Sequence, residues 1–225
     1  MVTPPRLRTA TVVATISIAS AASAASTQVA LWNMDETFGT TMHDSSGKGN
    51  DGTMNNVVTS GGGFVFDGSS SYVIVPNSPT LNPGTSNFSY TVQVQTNVMP
   101  ASGKDYDLMR KGLSTTSGGE FKVEIEYSGG IGRALCVIKD GGGKSGSVTG
   151  TTNVVDGALH TITCTKKSDR VVLKIDSLDA RKKYVTLGKI SNTAPLLIGA
   201  RTSTVRDSTN DWYAGTIRSA GLSVG

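Results

Sequence analysis

The sequence predicts an all-β fold, an antiparallel two-sheet β-sandwich. Apolar and polar residues alternate with a period of two in segment after segment, and the 3.6-residue period of an amphipathic helix is missing. The segments are short and separated by turn residues, the pattern of a sandwich. Glycine is abundant, 27 of 225 residues, well above the usual ~7%, as a chain of many tight turns requires.

The first 24 residues stand apart from this pattern. Arg6 and Arg8 form a short basic region, residues 10–20 are apolar and small, and Ala22, Ser23 and Ala24 make an A-x-A cleavage site. That is the form of a secretory signal peptide. The expected organisation is therefore a signal peptide at 1–24 and one secreted, extracellular domain at 25–225, and the alternative for the leader is a buried N-terminal strand. No later stretch reaches the ~18 apolar residues of a membrane span. The formal net charge is +4, from 21 Lys and Arg against 17 Asp and Glu. Arg6 and Arg8 leave with the leader, so the mature chain carries +2. So mild an excess implies neither nucleic acid nor a membrane surface.

Within the mature chain the strands read off in order. Val29 to Trp32 is a short apolar run. A loop follows in which Asp44, Ser45, Ser46, Gly47, Gly49, Asn50, Asp51 and Gly52 are crowded together. Such residues tolerate positive φ and close side-chain-bonded turns. Phe64 to Phe66 and Tyr72 to Val75 read as two strands joined by Asp67 to Ser71, a hairpin signal. Phe88, Tyr90, Val92 and Val94 alternate with Ser89, Thr91, Gln93 and Gln95. Phe121 to Tyr127 repeats the pattern, with Lys122, Glu124 and Glu126 on the polar side. Residues 104–107 read as a loop before a strand at Leu108 to Lys111. Gly141 to Gly146 and Ser117 to Gly119 are turns, Val171 to Asp176 alternates less cleanly, and Leu196 to Ile198 and Ile217 to Val224 are the last strands.

Cys136 and Cys164 each lie inside a strand-like run, residues 133–138 and 160–165. Secretion permits a disulfide, and neighbouring antiparallel strands bring Cα atoms within bridging range. A Cys136–Cys164 bond is expected, with two buried thiols as the alternative. Two cysteines and two histidines leave neither a zinc site nor a redox C-x-x-C motif.

The order W-x-x-x-E, D-S-S-G-x-G-N-x-G-T and F-D-G-x-S-S-Y-V-x-V-P is carried by Trp32, Glu36, Asp44, Ser46, Gly47, Gly49, Asn50, Gly52, Phe66, Asp67, Gly68, Tyr72 and Pro76. It resembles the laminin-G-like, concanavalin-A-like jelly-roll family over roughly residues 28–225. Asp156, Gly157 and His160 resemble a D-G-x-W-H-x-V-x-C strand of that family, with Leu159 in place of Trp. Residues 211–218 resemble its closing strand, with Arg218 where an acid is common. The resemblance implies the jelly-roll form of the sandwich. It does not select a function, because the scaffold carries lectins, adhesion modules and enzymes.

Three functions follow from the residues. Family enzymes set carboxylates on alternate positions of a concave-face strand, and only Glu124 and Glu126, with Glu120 further back, offer that here. This pair lacks the intervening acid, so a polysaccharide hydrolase or lyase is the alternative reading. A structural calcium ion is expected from Asp44, Asn50 and Asp51 in the Asx-rich loop, with Asp211 from the C-terminal segment, since Ca²⁺ takes six to eight oxygens. Against it stands plain turn capping by the same residues. Tyr106, Asp107 and Tyr213 are the expected ligand-binding residues, an acid beside aromatic rings. The leading expectation is a secreted non-catalytic module for carbohydrate or another extracellular surface ligand. A structural adhesion module that meets a protein is the third reading. The sequence does not indicate an oligomeric state.

Overall fold

The computed structural model describes residue 1 and residues 25–176, 179–204 and 210–225. Apart from Met1, the expected signal peptide lies outside them. Among the described residues there are sixteen strands: β1 (Thr27–Trp32), β2 (Thr41–Met42), β3 (Gly52–Asn55), β4 (Val58–Thr59), β5 (Phe64–Asp67), β6 (Tyr72–Val75), β7 (Phe88–Gln95), β8 (Asp105–Lys111), β9 (Gly119–Ser128), β10 (Ile131–Asp140), β11 (Ser145–Asn153), β12 (Leu159–Lys166), β13 (Arg170–Ile175), β14 (Asp179–Tyr184), β15 (Leu196–Ile198) and β16 (Ala214–Val224). They form two eight-stranded antiparallel sheets. The first runs β14-β13-β12-β7-β16-β5-β4, with β1 paired to β16. The second runs β11-β10-β9-β8-β15-β6-β3-β2. No helix among the described residues is long and apolar enough to cross a membrane.

The period-two pattern is what closes the sandwich. On β7, Phe88, Tyr90, Val92 and Val94 are buried and their neighbours half-buried. β9 answers with Phe121, Val123 and Ile125 from the facing sheet. Tyr90 lies 5.1 Å from the Phe121 ring and 5.9 Å from Phe88. Its hydroxyl donates to the Lys122 carbonyl at 2.9 Å, so the polar tip of a fully buried ring keeps a partner.

Three expectations change. Asp67 to Ser71 is not a hairpin turn. β5 pairs with β4 and β16 in the first sheet, while β6 pairs with β3 and β15 in the second. The Asp67 carboxylate accepts from the N–H groups of Ser69, Ser70 and Ser71, which makes a tight corner that carries the chain from one sheet to the other. The disulfide is present, with a Cα separation of 5.8 Å, but it does not join neighbouring strands. Cys136 is on β10 and Cys164 on β12, so it crosses the core between the sheets. The glycines of residues 145–153 belong to strand β11 and not only to a turn. A Cβ on Gly146 would stand 2.9 Å from Val171 Cγ2, and one on Gly150 would stand 2.6 Å from Ile175 Cδ1. Glycine there lets β11 close onto β13, at the end of the sandwich that the disulfide pins.

Candidate ligand-binding site

Strand β8 starts at Asp105, earlier than the loop reading of residues 104–107 allowed, and this start organises the site. Tyr106 faces the core. A register shift between Asp107 and Met109 inserts an extra residue. Leu108 and Met109 then both bury in the core, and Asp107 and Arg110 emerge together on the outer face of the second sheet. A bulge re-aims side chains in this way.

The segment before β16 lies across the start of β8. Asp211 has φ 53, a left-handed conformation that Asp tolerates better than most residues. Its carbonyl accepts the Asp107 N–H at 3.0 Å, and Tyr213 is tied on both sides, its N–H to Gly199 and its carbonyl to Gly68. Residues 211–213 are therefore held from three directions. The result is a surface cleft of about 330 Å³ lined by Gly68, Met99, Ala101, Lys104, Asp105, Tyr106, Asp211 and Trp212.

The cleft holds a carboxyl pair. Burial pushes the Asp211 pKa up to about 7, and the hydrogen bond and negative charge of Asp105, with that of Asp107, act in the same sense. Arg201, 3.5 Å from Asp211, opposes the shift. Near neutral pH the Asp211 carboxyl is therefore partly protonated, so it can donate as well as accept. The Lys104 ammonium is exposed at the mouth. The cleft thus combines donors and acceptors with the edges of two largely buried rings, Tyr106 at 8% and Trp212 at 6% exposure.

Beneath it runs a buried ionic network. Asp107 Oδ2 accepts from Arg110 Nη1 at 2.6 Å, and Arg110 Nη2 donates to Glu120 Oε2 at 3.1 Å. Asp107 Oδ1 has no partner among the described residues. Lys122 donates to Glu124. Burial raises the Glu124 pKa to about 8, with the Asp107 charge adding to the rise and Lys122 opposing it. Burial also raises Asp107, against Arg110. Glu124 is 1% exposed, while Glu126, on the same face, is half-buried and lies opposite Arg133 in the ladder.

The expected ligand residues divide. Tyr106 lines the cleft. Asp107 is completely buried under Arg110. Tyr213 is also buried, 5.6 Å edge-on to Tyr106 and 5.8 Å from Phe66. The expectation that Asp107 and Tyr213 are exposed for contact is corrected: the early start of β8 and the bulge turn them into support. Asp105, Trp212 and Arg201 were not singled out from sequence. A Lys-Asp-Tyr-Asp run was visible, but its partner across the cleft is about a hundred residues away.

Of the expected calcium ligands, Asp44, Asn50 and Asp51 lie together in the loop, and Asp211 lies apart from them in the rim cleft. Asp44 Oδ1 accepts from the N–H groups of Leu31 and Ser46, and Oδ2 accepts from Asn50 N–H and Ser46 Oγ. Asn50 is buried, with its amide donating to Val29 O and Thr80 Oγ1. Asp51 accepts the Asp44 N–H. Asp211 sits in the cleft with Asp105. These oxygens already serve N–H and hydroxyl donors, a set that does not fit a calcium ion. No group of three or more His, Cys, Asp or Glu among the described residues is placed to hold a metal. Burial is the largest single effect on Asp44 and acts to raise its pKa, but the hydrogen bonds from Leu31, Asn50 and Ser46 together outweigh it and hold the pKa below its ordinary value.

No family model matches the chain, and no curated protein matches it in sequence. Solved structures do resemble it in fold. The binding domain of Paraclostridial Mosquitocidal Protein 1 matches with a TM-score of 0.67 at 14% identity, covering 88% of this chain and 48% of that one. The binding domain of botulinum neurotoxin DC, solved in complex with rat synaptotagmin II, matches with a TM-score of 0.62 at 11% identity, covering 87% and 48%. A botulinum neurotoxin type C structure, from a protein whose cell entry depends on interaction with two ganglioside molecules, matches with a TM-score of 0.64 at 12% identity, covering 87% and 47%. The chain spans about half the length of these structures. At such identities the likeness is one of fold, that of a β-sandwich found in binding domains.

Proposed function

We propose that this chain is a secreted, non-catalytic recognition module of the laminin-G-like, concanavalin-A-like lectin class, and that it binds an extracellular carbohydrate in the rim cleft. One observation carries the reading: the convergence of Asp105, Asp211 and Lys104 beside the rings of Tyr106 and Trp212. A sugar presents hydroxyls on its edges and C–H groups on its faces. A concave site with a few fixed polar groups against aromatic surface answers both. The Asp211 carboxyl, partly protonated near neutral pH, supplies a donor and an acceptor at one place, as a hydroxyl requires. The sandwich fold shared with binding domains supports the reading, and the disulfide is in keeping with an oxidising, extracellular compartment.

The hydrolase alternative draws less support. A glycosidase needs two carboxyl groups facing one bond. Glu124 is buried and tied to Lys122, so Glu124 and Glu126 do not face one bond together; the carboxyl opposite Glu126 in the ladder is Asp105.

A glycan array followed by titration calorimetry tests the proposal. Asp211→Asn and Lys104→Ala should each weaken binding about tenfold, the worth of one charge-assisted hydrogen bond, with melting unchanged. Glycan binding that neither variant weakens would refute the cleft. Release of reducing ends from a polysaccharide, lost in Glu124→Gln with Glu126→Gln, would refute the non-catalytic reading.

A further inference from the structure

We infer that the β14 edge of the sandwich is a separate site, for a linear acidic polysaccharide. The charge of the chain is not spread evenly. Residues 166–184 hold seven Lys and Arg against three Asp, a local +4 against the +2 expected of the mature chain. The remainder of the mature chain is therefore slightly acidic. Lys166 is buried on β12 and Lys167 lies in the turn after it, but the other five cations, Arg170, Lys174, Arg181, Lys182 and Lys183, fall on β13 and β14 at one edge. β13 and β14 pair so that Lys174 lies opposite Ala180, Val172 opposite Lys182 and Arg170 opposite Tyr184. These share the outer face of the first sheet. Arg181 and Lys183 point to the other side, where β11, the edge of the second sheet, comes alongside.

The two edges enclose an open groove lined by Ser147 and Thr149 on one wall and Arg181, Lys182 and Lys183 on the other. Lys174, Lys182 and Lys183 are exposed and form no ion pair among the described residues. Tyr184 is 61% exposed, and the Lys182 ammonium lies 5.4 Å from its ring centroid.

Lysines on an edge strand also block pairing with other chains, but blocking does not call for a second wall of hydroxyls or for an exposed ring. Cations on alternate positions of a strand recur every ~6.8 Å, twice the strand rise. A linear polymer with carboxylates or sulfates at regular intervals runs along this edge, its charges meeting Arg181, Lys182 and Lys183 and its hydroxyls meeting Ser147 and Thr149 across the groove, with Lys174 and Tyr184 flanking it on the outer face of the first sheet. A lipid surface is the poorer fit, because a membrane-binding face needs apolar side chains to insert. Tyr184 is the only large one exposed here among the described residues.

The test uses polygalacturonate as the acidic probe, neutral dextran as control, and phosphatidylserine vesicles as the lipid arm. The wild-type chain should bind polygalacturonate and not dextran. Binding should weaken as NaCl rises, since exposed charges are screened within ~10 Å at 0.1 M. The triple variant Lys174→Ser, Lys182→Ser, Lys183→Ser should bind at least about tenfold more weakly while melting like the wild type, because all three side chains are exposed. Lys104→Ala, in the rim cleft, should leave polygalacturonate binding unchanged, which separates this site from the proposed carbohydrate cleft. Absence of polygalacturonate binding at low salt, full binding by the triple variant, or binding to the vesicles alone would overturn the inference.

Discussion

Breaking the bond between Cys136 and Cys164 should be among the most damaging covalent changes to this fold. The bond spans a sequence separation of 28 and ties β10 of the second sheet to β12 of the first. Both side chains are fully buried. In the loop-closure model, a loop of this length removes about 3–4 kcal/mol of unfolded-state entropy at 25 °C. For a domain of this size Tm moves ~2–4 °C per kcal/mol, so reduction should lower it by roughly 6–16 °C. Cys136→Ala with Cys164→Ala should cost about 1–2 kcal/mol more, for the space left in the core. Reducing the wild-type protein isolates the cross-link from that packing loss. The assay is a pair of thermal melts followed by circular dichroism, with and without reductant, beside peptide mapping after alkylation under non-reducing conditions. The mapping should recover the Cys136–Cys164 peptide pair. Two alkylatable thiols in folded, unreduced protein, or a reduced protein that melts within ~2 °C of the oxidised one, would refute the argument.

Two further outcomes follow from the hydrogen bonding. Asp44→Ala strips acceptors from the backbone N–H groups of Leu31, Ser46 and Asn50 and should destabilise by about 1–3 kcal/mol. Melts in EDTA and in millimolar Ca²⁺ should coincide for wild type and variant alike, and a Ca²⁺-dependent rise in Tm abolished by Asp44→Ala would restore the calcium reading. His160 lies between Asp176 at 2.8 Å and Asp156 at 3.1 Å. Its pKa is raised because these bonds and charges outweigh the opposing effect of burial. The folded state therefore holds the proton more tightly than the unfolded chain. Its contribution is complete below about pH 6.5, the ordinary histidine value, and is lost as pH rises through the folded value. His160→Gln should flatten that alkaline decline in urea melts between pH 6 and 9, and an unchanged slope would count against the buried imidazolium.

The alternation of β7 and β9 was legible in the sequence because side-chain direction in a strand is local. A residue's neighbours at i±2 share its face wherever the strand ends up. The same locality made the Asx-rich loop readable as turns, and the disulfide foreseeable as a pair. Partner strands are a different matter. Asp67 to Ser71 has the composition of a hairpin, and only the competition between β16 and β6 for the edge of β5 turns it into a corner between sheets. β11 carries so little apolar area that no pattern marks it, since its inward positions include glycines that matter for what they leave out.

The cleft belongs wholly to tertiary structure. Asp211 acquires its raised pKa from burial and from the nearness of Asp105, and neither property is written in a neighbouring residue. Tyr106, Asp107 and Tyr213 stand out in the sequence by their chemistry alone. Their exposure depended on a one-residue bulge at Leu108 that sends Asp107 under Arg110 and on the packing that seats Tyr213 against Phe66. Residue chemistry was thus determined by the sequence alone, and so was which positions share a face within a strand. Which faces meet, which carboxyls are desolvated and which rings reach solvent were decided by the packing of two sheets, because those depend on distances between residues far apart in the chain.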